Sequence, residues 1–135
     1  MNTLSPELLA ATLTAGFTAL IWVPIILNRL KEMGPWTALK NPQPDVRPEA
    51  DWAYRLACAH RNAIENLAVF APLAITVHVL GLGDQMTAFA GFVFLASRVA
   101  HTAIYTFGIP LLRTIAFVIS FGCQMLFALR IVGWA

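Results

Sequence analysis

Apolar residues predominate in four stretches of this chain, 8–27, 53–80, 86–107 and 111–132, which are separated by a polar connection and two short turns. Each stretch has the roughly 20 residues that an α-helix needs to cross a hydrocarbon core of about 30 Å. The pattern therefore predicts four transmembrane helices. Their connections are unequal. The first, 28–52, is polar and contains Pro35, Pro42, Pro44 and Pro48, whereas Gly81-Leu82-Gly83-Asp84 and Gly108-Ile109-Pro110 read as tight turns. Short turns make neighbouring helices antiparallel, so the expected fold is one all-α domain, residues 1–135, an antiparallel four-helix transmembrane bundle. Ser5-Pro6-Glu7 reads as an N-cap, a first-turn proline and a dipole-favoured acid, which predicts a helix start retained in the mature protein. Pro24 and Pro72 fall inside spans, which membrane helices tolerate when neighbours satisfy the freed carbonyls.

Composition agrees. With 59% hydrophobic and 12% charged residues and a mean hydropathy of +0.69, the expected partner is the lipid bilayer. A net charge of +2 without a basic stripe excludes nucleic acid. Cys58 and Cys123 lie in different spans, about 10 Å apart in depth by the helix rise, and are expected as free thiols. Arg29, Lys31, Lys40 and Arg47 all fall in the first loop, against a lone Asp84 in the second. The positive-inside rule thus places the long loop in the cytoplasm and both termini on the opposite side.

The spans carry an unusual load of polar groups. At about 100° per residue, Arg55, Asn62, Glu65 and Asn66 share one face of the second span, with Arg61 at its margin and His60 opposite. Arg98, His101 and Tyr105 form a stripe on the third span, and Arg113, Ser120 and Gln124 a row on the fourth. A charge at the helix centre costs about 2.5–3.5 kcal/mol on the insertion scale, so these groups should face the bundle and have partners. In an antiparallel bundle Glu65 and Arg98 lie at a similar depth, about 15 Å in, with Tyr105 and Arg113 near the cytoplasmic surface. The expectation is one cavity in that half, in which Arg55, Arg61, Arg98 and Arg113 face the single acid Glu65. An anionic ligand would complete the neutralisation, and Glu65 would receive an ammonium group.

The same residues also fit a purely structural arrangement. In it Glu65 pairs with Arg61 or Arg98, Asn62 and Asn66 bond between helices, Arg55 and Arg61 snorkel, Tyr105 is an interface aromatic, and Arg130 anchors the outer end. No His, Cys or carboxylate pair has zinc-like spacing and no glycine-rich phosphate loop is present, so neither a metal nor a nucleotide is expected.

The run Ala59-His60-Arg61-Asn62-Ala63-Ile64-Glu65-Asn66, followed by Phe70 and Pro72, resembles the second-helix signature of the MAPEG family, the membrane-associated proteins of eicosanoid and glutathione metabolism. Arg98-Val99-Ala100-His101-Thr102-Ala103-Ile104-Tyr105, then Gly108, Pro110 and Arg113, is similar to that family's third helix, turn and fourth-helix start. The resemblance covers essentially the whole chain and is to bacterial-type members akin to microsomal glutathione transferase. It implies a homotrimer that binds glutathione as co-substrate between subunits and, in catalytic members, ionises its thiol for transfer to hydrophobic electrophiles or reduction of lipid hydroperoxides. By motif position, Asn62 and Glu65 would hold the tripeptide's polar ends, Arg98, His101 and Tyr105 would line the pocket, and Arg113 would face the sulfur, with Tyr105 as a hydroxyl donor to it. Arg29 would add a carboxylate contact. One departure stands out: many members have an arginine four residues before the motif asparagine, where this chain has Cys58. Arg55 or Arg61 would have to substitute, or the tripeptide would bind more weakly. The departure keeps open a non-catalytic lipid-binding or adaptor member of the same fold. A small four-helix transporter is the third alternative, disfavoured because Glu7, at the outer edge, is the first span's only acid.

Overall fold

The computed structural model describes residues 4–44, 47 and 49–135; Pro48 of the long connection lies outside them. Four long helices form the bundle: α1 (Pro6–Met33), α3 (Asp51–Val79), α4 (Gln85–Phe107) and α5 (Pro110–Ile131), with a one-turn α2 (Pro35–Ala38) after α1. All four long helices have the length and apolarity to cross a membrane. The chain is an integral, multi-pass membrane protein.

Helix α1 starts as its sequence predicts, with the Ser5 side chain accepting from the Leu8 amide at 3.4 Å and Pro6 in the first turn. It then runs six residues past the end of its apolar stretch. The added segment Asn28-Arg29-Leu30-Lys31-Glu32-Met33 is made mostly of good helix formers, so polarity ends there while helicity continues. Gly34 stops it with φ of 78°, a backbone conformation that costs other residues more. The chain returns to start α3 beside α1, where the Asn28 side chain accepts from the Ala50 amide at 2.9 Å.

The packing is rhombic. Helices α3 and α4 touch each other and both flanking helices, whereas α1 and α5 do not meet. The apolar core lies towards the end of the bundle that carries the 80–84 turn. There Phe70 of α3 stacks on Phe94 of α4, with ring centroids 3.9 Å apart, and meets Phe127 of α5 edge-on at 5.1 Å. All three are fully buried. In lipid the burial of apolar surface does not by itself drive helices together, so close packing has to do it. Ala10, Ala53, Ala59, Ala63 and Ala74 are buried and let backbones approach. At Gly91 a Cβ would stand 3.1 Å from that of Ala10, so α1 and α4 meet there at the limit of contact.

Candidate functional site

A seam of polar side chains occupies the other half of the bundle, at the junction of α3, α4 and α5. Gln124 donates to the backbone and side-chain oxygens of Asn66 at 3.1 and 3.2 Å, joining α5 to α3. Ser97 and Ser120 share a hydrogen bond of 2.7 Å between α4 and α5. Arg98 donates from Nη2 to the Asn62 side-chain oxygen at 3.0 Å, joining α4 to α3. Ser97 had no place in the stripe read from the sequence. It sits beside Arg98 on α4, and its short side chain gave no periodic signal.

Arg98 is the most enclosed charged group in the chain, 1% exposed. Its Nε and Nη1 have no hydrogen-bond partner, and no carboxylate lies within ion-pair distance of it among the described residues. One turn along α4, His101 is 2% exposed, with Nδ1 also unpartnered. Its ring meets that of Tyr105 edge-on at 5.6 Å. The Arg113 guanidinium, from the first turn of α5, lies over the Tyr105 ring at 4.4 Å from its centroid. Both Tyr105 and Arg113 are half-buried. The sequence stripe 98, 101, 105 is therefore one continuous row, and Arg113 closes its end. Three buried N–H or ring-nitrogen groups without partners among the described residues make this row the candidate site.

Asn62 joins that row through Arg98, whereas Arg29, Arg61 and Glu65 do not converge on it within one chain. Asn66 is buried and Asn62 half-buried, but Arg61 and Glu65 face outward. The expected single cavity containing Glu65 and all four arginines is thus corrected. The buried face of α3 runs through Ala59, Ala63, Asn66 and Phe70, because α3 is packed by α1 on one side and by α4 and α5 on the other, and Glu65 lies about 100° off Asn66. Neither Arg61 nor Glu65 forms an ion pair among the described residues. Arg55 donates from Nε to the Thr106 backbone carbonyl at 2.8 Å. Arg29 sits at the end of α1, 3.4 Å from Glu49, beside a cleft of about 530 Å³ that Lys40 and Thr37 also line. Cys58 is half-buried and Cys123 buried, and both are free thiols.

The sequence model of the MAPEG family matches residues 8–133, which takes in all four long helices but for the first two residues of α1. The chain belongs to the MAPEG family. No individual curated protein matches it.

The far end of this MAPEG bundle holds a second polar cluster that spacing did not reveal. Glu7, at the outer end of its span as its position suggested, is nonetheless only 2% exposed, and accepts from the Thr87 hydroxyl at 2.6 Å, tying α1 to α4. Thr87 also closes a capping box with Asp84 at the start of α4. Asp84 in turn accepts from Arg130 at 2.7 Å, and Arg130 donates to the Leu82 carbonyl at 3.3 Å. The Thr87 amide and the Arg130 charge hold the Asp84 carboxyl below its ordinary range. Arg130, expected as an anchor, fastens α5 to the 80–84 turn. A threonine three residues after an aspartate was the one readable signal here.

Proposed function

We propose that this MAPEG chain is a glutathione-dependent membrane enzyme, which activates the tripeptide's thiol for conjugation to hydrophobic electrophiles or for reduction of lipid hydroperoxides. One observation carries the reading. Arg98 is buried with two unpartnered nitrogens, Nε and Nη1, and no acid within ion-pair distance among the described residues, in line with His101, Tyr105 and Arg113. A buried cation of this kind calls for an anion, and a tripeptide with two carboxylates and a thiol supplies one. Asn62, Arg98, His101 and Tyr105 line the pocket in this reading, and Arg113 faces the sulfur. A free thiol has a pKa of about 8.5, so only a few per cent is ionised at neutral pH, and a neighbouring guanidinium favours the thiolate. Tyr105, under Arg113, donates its hydroxyl to the same sulfur. No metal takes part.

The assembly is a homotrimer in this reading. Arg61 and Glu65 project from a membrane-spanning helix without ion-pair partners among the described residues, which supports a neighbouring subunit as their cover. Glu65 then receives the ammonium of a glutathione lying at the boundary, with Arg29 and Arg61 as further cations at its rim. The lysines and arginines of the long loop support a cytoplasmic placement of that end, with lipophilic substrates entering from the bilayer. A non-catalytic lipid-binding or adaptor role is favoured by one feature, the half-buried Cys58 where many relatives have an arginine.

The test is the ultraviolet difference spectrum of the purified protein on adding glutathione at neutral pH. A saturable thiolate band that free glutathione lacks is expected. Binding without that band supports the adaptor role, and no binding at all overturns the glutathione reading.

A further inference from the structure

We propose that Arg55 is a positioning residue: it braces the turn between α4 and α5 and thereby sets Tyr105 against Arg113, instead of binding a ligand itself. A helix end leaves its last carbonyls without partners inside the helix. At the end of α4, the Gly108 amide bonds the Tyr105 carbonyl at 3.0 Å and the Ile109 amide bonds the Ile104 carbonyl at 3.1 Å, with Gly108 in the left-handed conformation at φ of 77°. The Thr106 carbonyl, between these, takes the Arg55 Nε from α3 at 2.8 Å. A cation on this carbonyl also meets the negative end of the α4 dipole.

The Arg55 side chain lies against the turn. A Cβ added at Gly108 would stand 3.5 Å from the Arg55 Nε and 3.7 Å from its Cδ and Cζ. Arg55 is thus a strut from a third helix onto a connection of two residues, 108–109. The two side chains that this connection orients are its neighbours. Tyr105 precedes the braced carbonyl by one position, and Arg113, whose amide bonds the Ile109 carbonyl at 3.3 Å, opens α5. Their contact of 4.4 Å spans the turn, so any change in the angle between α4 and α5 changes it directly. The strut stands on this geometry alone; its effect on thiol activation rests on the glutathione reading above.

Hydrogen exchange of the full-length protein in lipid nanodiscs tests it, alongside the glutathione titration. Arg55→Ala should speed exchange of the Gly108 and Ile109 amides by about tenfold or more and leave α1 unchanged. At saturating glutathione its thiolate band should shrink, with the dissociation constant within about threefold of wild type. Arg55→Lys, which keeps the charge, should recover part of both. Gly108→Ala, strained at that φ and in van der Waals contact with Arg55, should reproduce the faster exchange, and it stands in if Arg55→Ala does not assemble. Unchanged exchange at the turn in Arg55→Ala, or in Gly108→Ala should that one be needed, overturns the strut. A dissociation constant raised tenfold with full thiolate amplitude at saturation overturns it too, because Arg55 would then be gripping the ligand. If wild type binds no glutathione, the reading of the site fails while the exchange result still decides the strut.

Discussion

Arg98 donates to the side-chain oxygen of Asn62 at 3.0 Å, and that oxygen is the one hydrogen-bond partner its guanidinium has among the described residues. Asn62→Leu therefore removes the only answer to a buried cation. A hydrogen bond to a charged group contributes about 1.5–3 kcal/mol, so the thermal midpoint in detergent should fall clearly. Asn62→Asp should do the opposite, raising the midpoint of the empty protein while weakening glutathione, because the carboxylate occupies the role of the ligand's anion. An aspartate variant with a lower midpoint and unchanged affinity would sink this account of the seam.

Glu65 offers a cleaner separation of ligand binding from assembly. Glu65→Gln keeps the size of the side chain and removes the charge. If Glu65 meets the ligand's ammonium, the variant should still form trimers by chemical cross-linking and bind glutathione several-fold more weakly. Loss of the trimer with intact affinity in whatever remains would instead make Glu65 a structural partner of the neighbouring chain.

Tyr105 and Arg113 can be told apart by their chemistry. Tyr105→Phe retains the ring beneath the guanidinium and loses the hydroxyl. If that hydroxyl bonds the sulfur, turnover with a model electrophile should fall by about tenfold or more. Arg113→Ala should abolish the thiolate band while glutathione affinity stays within severalfold. Full turnover in Arg113→Ala would remove it from the mechanism.

Glycine at position 83 is required by a neighbour, not by its own backbone. A Cβ there would stand 2.9 Å from Glu7 Oε1, closer than real contacts allow. Gly83→Ala should displace the carboxylate from Thr87, lower the thermal midpoint, and have little further effect when combined with Glu7→Gln. Additive losses in the double variant would show that the two residues act independently.

Asp84 makes the far end sensitive to acid. Its carboxyl is held below the ordinary value of 3.8 by the Thr87 amide and by Arg130, so its stabilising contribution is complete above that value and is lost as pH falls through the lowered one. Between roughly pH 6 and pH 3, wild type should lose more thermal stability than Asp84→Asn. Equal slopes would mean that the cap does not depend on the charge.

The bundle was legible in the sequence because lipid imposes a minimum length on every span, and the stretches from Leu8, Ala53, Met86 and Leu111 each met it. The end of α1 was not, since apolarity stops at Leu27 and helix propensity carries on to Met33. Spacing by three and four found the Arg98, His101 and Tyr105 row because all three lie on one helix. It misjudged Glu65, because a shared face on α3 says nothing about which neighbours that face meets. It was blind to the main-chain acceptor of Arg55, since a carbonyl leaves no mark in the sequence. Glu7 looked like a helix-end acid, and only the arrival of α4 alongside α1 buries it.

The unanswered guanidinium of Arg98 also bears on how much of the protein a cell keeps. A ligand that binds the folded chain and not the unfolded one stabilises it by mass action, by about 2.7 kcal/mol when its concentration is a hundredfold above its dissociation constant. Quality control removes unfolded chains continuously, and stability differences of about 1–2 kcal/mol change abundance several-fold. If a small anion completes this interior, the protein should be turned over fastest when that anion is scarce, and its amount should track the supply of the molecule that fills it.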